Sequence, residues 1–282
     1  TAQTTQTACL AGTYNANTGS TTSSDCLDAS PGYYVDSTAG TAQTTQTACL
    51  AGTYNADTGS TTSSDCLDAD AGNYVPTTGQ SSQTECAAGT YQASTGQSSC
   101  TDASAGYYVP TTGQTSQTEC AEGTYQSLTG QTSCNSADAG YYIDTDVSSD
   151  QIPCALGTYQ PDAGQTSCLD ADPGYYVDST AQTTQTACLA GTYNANTAST
   201  TSSDCLDADA GYYVGSTGQS SQTACAAGTF QASTGQSACN VADAGYYVDS
   251  TAGTAQTAQT ACGAGTYNAN TGSTTSSDCL DA

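Results

Sequence analysis

The chain has 282 residues, with 26 Asp or Glu and no Lys, Arg or His, so its formal net charge is −26. A chain without cations forms no side-chain ion pair within itself and neutralises no phosphate. That excludes nucleic acid and anionic membrane surfaces as direct partners and leaves metal cations, basic proteins or neutral glycans.

Leu, Ile, Val and Phe together make up well under a tenth of the residues. At that level, with high net charge, burial does not offset chain entropy and disorder is the default expectation. Sixteen cysteines are what the chain offers instead. No two lie closer than fourteen positions and there is no His, whereas structural zinc sites use closely spaced pairs. Disulfides in an oxidising, extracellular compartment are the expectation. No apolar run is long enough to span a membrane.

Read in chain order, residues 1–8 are the end of a preceding unit, and 9–282 form a tandem array with double units starting at 9, 49, 86, 120, 154, 188, 225 and 262. The cysteines group as Cys9/Cys26, Cys49/Cys66, Cys86/Cys100, Cys120/Cys134, Cys154/Cys168, Cys188/Cys205, Cys225/Cys239 and Cys262/Cys279. The first member of each group opens a C-x-x-G-T-[YF] run, as in Cys9 to Tyr14. Three residues after each second member stands an alanine that opens A-x-x-G-[YN]-Y, as in Ala29 to Tyr34. A glutamine precedes each following cysteine by three: Gln46, Gln83, Gln117, Gln151, Gln185, Gln222 and Gln259. The true unit is therefore 17 or 20 residues long, closed alternately by Cys/Cys and by Ala/Gln at the same two positions.

That equivalence favours a bond local to each cysteine unit, although the spacing is also compatible with bridges between neighbours. A local bond closes a loop of about fifteen residues, worth on the order of 3 kcal/mol in the chain-entropy model, so eight supply roughly 20 kcal/mol.

Each unit reads as a short β-strand at G-[TY]-Y, a glycine turn, and a return segment rich in Thr and Ser. The expected fold is all-β and disulfide-rich: an elongated array of short hairpin units with little or no helix, each touching only its neighbours. The three-residue insertions, such as that within Ser20–Asp25, belong in a loop or in one turn of polyproline-II-like chain, because an odd insertion in a strand reverses its faces. The fifth-position aromatic is expected to fill the core, since Phe230 replaces Tyr there. The fourth-position tyrosines Tyr33, Tyr107, Tyr141, Tyr175, Tyr212 and Tyr246 then either pack against the adjoining unit or form an outward contact stripe.

Acids cluster near the second cysteine. Asp28, Asp68, Asp70, Asp207 and Asp209 are weak Ca²⁺ candidates, since no D-x-D-x-D-G loop accompanies them; solvated surface charge is the plainer reading. No N-x-[ST] sequon occurs. Thr21, Thr22, Thr44, Thr45, Thr61 and Thr62 are either bare polar loop residues or O-glycosylation sites. The shifting Thr register argues against an ice-binding ladder. Without His or Lys there is no ready base for a Ser or Cys nucleophile, and a half-formed site repeated in every unit is architecture. The chain is not expected to be an enzyme, and no cofactor is expected.

The pattern C-x-x-G-T-Y-x-x-x-T-G-x-x-x-C, cleanest at Cys86–Cys100, resembles the ephrin-receptor-like cysteine-rich repeat, distantly similar to tumour-necrosis-factor-receptor modules. The resemblance covers essentially the whole chain. The family's further cysteine, three residues after the closing one, is replaced here by Ala29, Ala69, Ala103, Ala137, Ala171, Ala208 and Ala242. It implies an extracellular array of small β modules. The segments 41–69 and 254–282 nearly repeat the first 29 residues, so the sequence reads as a window on a longer, mature chain. The expected role is a structural subunit of an extracellular filament, surface fibre or appendage, assembled with copies of itself or other surface subunits. The alternative is a stalk or adhesin recognising a protein or glycan.

Overall fold

A computed structural model describes residues 6–36, 42–249 and 253–282. The described residues form fifteen two-stranded antiparallel hairpins and no α-helix. Every strand is two residues long, far below the usual five or six. The first strand of each hairpin is the fourth- and fifth-position pair, as in Thr53–Tyr54. Its partner is the dipeptide just after the closing residue, as in Leu67–Asp68, in the register Thr53↔Asp68 and Tyr54↔Leu67. The return strand is thus not the Thr/Ser-rich segment, as the sequence suggested. That segment is the connecting loop, because its hydroxyl side chains compete locally for backbone groups that a ladder would need.

The chain divides into two compact bodies, residues 1–135 with 145–150, and residues 136–144 with 151–282. The same stacking recurs within each. In the first body the third-position N–H of Gly52 donates to the sixth-position carbonyl of the next unit, Val75 (2.9 Å). The sixth-position N–H of Asn55 donates to Gln80 (3.1 Å), and the tenth-position N–H of Gly79 donates back to Cys49 (2.9 Å). In the second body the same three bonds run from Gly174 to Asn194 (2.7 Å), Val177 to Ser199 (2.9 Å) and Ala198 to Ala171 (2.9 Å). Loop backbone groups that a two-pair hairpin leaves orphaned are satisfied by the next unit.

Contacts also skip one unit. A Cβ on Gly52 would sit 2.3 Å from the Gly96 carbonyl, and one on Gly191 would sit 2.3 Å from that of Gly235. Each pair lies two units apart, so units touch second neighbours as well as first. The nearest-neighbour expectation was too sparse, because strands this short leave the loops of alternate units within reach.

The core differs from the one expected. The fifth-position rings are half-buried, and Tyr267 is 51% exposed. The interior is built from Val35, Val75, Val109, Ile143, Val177, Val214 and Val248 at the sixth position of the Ala/Gln units, with the opening Ala and Cys residues. A ring is too large for the space between hairpins whose backbones touch; Val and Ala fit it.

At the sixth position of the cysteine units an amide replaces Val. Long units use Asn: Asn55 donates to Ser60 Oγ (2.7 Å) and accepts from the Asp57 N–H (3.1 Å). Short units use Gln: Gln126 donates to the Ser133 carbonyl (2.8 Å) and accepts from the Leu128 N–H (3.0 Å). The three extra residues of the long cysteine units form single 3₁₀ turns, Ser23–Asp25, Ser63–Asp65, Ser202–Asp204 and Ser276–Asp278, rather than extended chain. Three residues make one 3₁₀ turn, so a unit lengthens without changing its closure.

Two substitutions test this packing. Val147 occupies a tenth-position turn at φ 64°, where a β-branched residue is strained, so Val147→Gly is expected to stabilise by about 1 kcal/mol. Gly52→Ala is expected to destabilise by about 2–4 kcal/mol, combining a positive φ with a clash against backbone. Thermal unfolding reads both, and a neutral Gly52→Ala would refute the second-neighbour contact.

Candidate contact surface

Each hairpin is clamped across its base. In the cysteine units the clamp is a disulfide: the structure joins Cys9–Cys26, Cys49–Cys66, Cys86–Cys100, Cys120–Cys134, Cys154–Cys168, Cys188–Cys205, Cys225–Cys239 and Cys262–Cys279. Cα separations are 5.6–5.8 Å, within the usual range. In the other units the glutamine side chain reaches back to the opening residue's neighbour. Oε1 of Gln46, Gln83, Gln117, Gln151, Gln185, Gln222 and Gln259 accepts that backbone N–H at 2.6–2.7 Å. Where the neighbour is Asp, Nε2 donates to its carboxylate as well: Gln83 to Asp70 (2.6 Å), and likewise to Asp138, Asp172, Asp209 and Asp243.

The acid residues singled out in the sequence fall into two sets. Asp70 and Asp209 belong to glutamine clamps. Asp28, Asp68 and Asp207 sit on return strands, and Asp68 and Asp207 press against the tenth-position glycines Gly96 and Gly235 two units on. Among the described residues no three acid or sulfur side chains converge on a cation position.

The 3₁₀ turns hold a third type of carboxylate. Asp65 Oδ2 accepts from the backbone N–H groups of Thr61 (2.8 Å) and Thr62 (3.0 Å). The Thr62 and Thr61 N–H groups keep its carboxyl below the usual range, as those of Thr274 and Thr275 do for Asp278. Beside two of the turns is a shallow polar hollow, lined in one case by Asp57–Thr61, Ser64, Asp65 and Leu67, and in the other by the matching residues 270–274, 277, 278 and 280.

The candidate tyrosine stripe is recessed. Tyr33, Tyr107, Tyr141, Tyr175 and Tyr212 are half-buried, and Tyr246 is exposed. The hydroxyl ends of Tyr33 and Tyr175 pack close to Gly79 and Gly218, two units away. Of the candidate glycosylation residues, Thr21, Thr22, Thr44 and Thr45 are exposed and Thr61 and Thr62 half-buried. Most exposed aliphatic side chains are elsewhere: all ten leucines of the chain stand out from the surface and belong to cysteine units, with Val241 beside them and Ile152 on a glutamine-closed unit. The restriction of leucine to alternate units is visible in the sequence, as is the pairing of Asn with long units and Gln with short ones.

No helix among the described residues is long and apolar enough to cross a membrane. No protein-family model matches the chain, and no curated protein shows significant similarity to it.

Two measurements test the clamps. Ala69→Cys with Gln83→Cys places a cysteine pair where the amide clamp stands, so intact-mass analysis is expected to show nine disulfides; persistently free thiols would break the equivalence of the two unit types. Asp65 and Asp278 have folded-state pKa values below their unfolded ones, so their stabilisation is complete above about pH 4 and lost as pH falls through the folded values. Asp65→Asn with Asp278→Asn is expected to lower the melting temperature above about pH 4, where the charged carboxylates stabilise, and to change it little at the acid end, so the acid-induced drop shrinks.

Proposed function

We propose that this chain is a structural subunit of an extracellular filament, surface fibre or appendage, built from repeats of the ephrin-receptor-like kind. What supports the reading is the identical set of backbone hydrogen bonds that carries one hairpin onto the next in each body. A unit of this kind specifies its neighbour through the main chain, so the array extends by adding units and its stability grows with length. Local disulfides make every second unit resistant to unfolding outside the cell, where thiols oxidise. The lack of Lys and Arg leaves trypsin-like proteases no cleavage site.

O-linked sugars on the exposed loop residues Thr21, Thr22, Thr44 and Thr45 accord with this role, since they would shield loops that contribute no packing. Thr22 and Thr62 are the poorer acceptors of the set, their hydroxyls being engaged with Ser24 at 2.7 Å and Ser64 at 2.6 Å. Catalysis has no support in the residue inventory, which lacks His and Lys.

The alternative, a stalk or adhesin module, is favoured by one observation, the exposure of every leucine. Electron microscopy of natively purified material separates the two. Ordered polymers that persist in high salt and fall apart on reduction are the expected result. Dispersed single molecules carrying a saturable ligand would favour the stalk.

A further inference from the structure

The chain sorts its aliphatic residues by position. The sixth-position Val and Ile residues of the Ala/Gln units are at most 2% exposed, whereas the ten leucines, all in cysteine units, are 47–82% exposed. Leu10 (82%), Leu50 (72%) and Leu189 (71%) directly follow the opening cysteine. Leu27, Leu67, Leu169, Leu206 and Leu280 begin the return strand, exposed by 47–57%. A protein so poor in aliphatic residues gains most by burying them, so ten leucines left in water need an explanation beyond the ordinary exposed apolar residue.

Their surroundings repeat. Each return-strand leucine is followed by an exposed aspartate, in Leu27-Asp28, Leu67-Asp68, Leu169-Asp170, Leu206-Asp207 and Leu280-Asp281. Each also stands opposite a fifth-position tyrosine in the ladder: Tyr14↔Leu27, Tyr54↔Leu67, Tyr159↔Leu169, Tyr193↔Leu206 and Tyr267↔Leu280. Residues directly opposite share one face of the hairpin, so every such unit presents a leucine–tyrosine pair, while the aspartate after the leucine faces the other way, and Asp28, Asp68 and Asp207 point toward the following cysteine unit. Successive cysteine units are second neighbours and touch. Asp28 approaches Gly59, which lines the hollow holding Asp65 and Leu67, and Asp68 approaches Gly96 in turn. In the first body the surface therefore runs from the first cysteine unit to the second, apolar and anionic side by side; the third and fourth carry Thr101-Asp102 and Asn135-Ser136 on their return strands instead.

We propose that this leucine-bearing face docks a basic, amphipathic protein segment. Its apolar side chains seat on the leucine–tyrosine pairs, and its Lys or Arg side chains lie against the neighbouring aspartates. Charge selects the occupant. A second copy has no cation in 282 residues to offer, so pairing two such faces sets aspartate against aspartate. Nucleic acid and anionic lipid are repelled for the same reason. A partner that is only basic leaves the leucines in water, and one that is only apolar leaves the aspartates to be desolvated without compensation. The inference goes beyond the fibre reading and does not depend on it, since binding and polymerisation have separate readouts.

The test uses the full, oxidised chain and fluorescence anisotropy with three synthetic helical peptides of one length: Lys/Leu amphipathic, Lys/Ser of equal charge, and Glu/Leu. Saturable binding of the Lys/Leu peptide is expected, at least about tenfold tighter than either control, the difference made by roughly 1.4 kcal/mol. Replacing all ten leucines with Ser is expected to abolish that preference, and replacing them with Met to retain it, because Met keeps volume and apolarity. Glu85→Gln with Glu119→Gln, on the glutamine-closed units, is expected to leave binding unchanged. Intact mass and thermal unfolding establish that each variant keeps eight disulfides and its fold. Equal binding of the Lys/Ser peptide overturns the proposal, as does a Ser variant that binds normally. Leucine-dependent self-association in sedimentation without peptide binding would assign the face to a second copy. Leucine-dependent partition onto phosphatidylcholine vesicles without peptide binding would assign it to a membrane. Either result also overturns the proposal.

Discussion

A hairpin of two residue pairs does not hold together in water, since ordering its loop costs far more than one rung of ladder returns. Every other feature of the molecule follows from how that base is closed. The disulfide acts mainly on the unfolded chain by shortening its reach. The glutamine clamp acts only in the folded state, through a bond to a backbone N–H and often a second to a carboxylate, the kind of charged hydrogen bond worth about 1.5–3 kcal/mol. Alternating them places a covalently closed hairpin on each side of every amide-closed one. A glutamine unit thus opens against two neighbours that do not readily open with it, and the backbone bonds between units transmit that restraint.

The same economy explains the interior. Where hairpins stack through main-chain bonds and glycine meets carbonyl at contact distance, the enclosed space takes Val, Ile, Ala or half a cystine and no aromatic ring. Cysteine units fill the matching sixth position with an amide that satisfies their own loop, and the side chain's length tracks the loop. Asn serves the units that carry a 3₁₀ turn and Gln those that do not. Loop and amide form one device, so changing the length of a unit without its sixth residue would leave a buried amide with unmet bonds.

Much of this was legible because a repeat displays its own constraints. The cysteine positions and the Ala/Gln substitution mark the unit, its two lengths and its two ways of closing. The identity of the core was not legible by the usual rule that the largest apolar residue goes inside, and Tyr14 or Tyr54 looked better suited than Val35. The rule fails when backbone approach, not side-chain volume, sets the spacing. The return strand was misplaced for a related reason. Leu67-Asp68 has no strand signature of its own, and it pairs because Cys66 delivers it beside Tyr54. Second-neighbour contacts lie outside any reading by adjacent units, although the recurring tenth-position glycine was their trace.

A protein with 26 carboxylates and no cation has to place its negative charge where something answers it. Backbone N–H groups answer Asp65 and Asp278, and glutamine amides answer Asp70, Asp138, Asp172, Asp209 and Asp243. These bonds are short in range and made within a unit, so they brace single hairpins without drawing one molecule to another. The return-strand aspartates Asp28, Asp68 and Asp207 stand outside that scheme, beside leucines that the core does not use. Solubility accounts for the carboxylates alone, and poor packing would account for the leucines alone. Neither accounts for the two recurring as adjacent residues on the units that carry the disulfides, where the fold is most rigid and a partner would meet a surface already ordered.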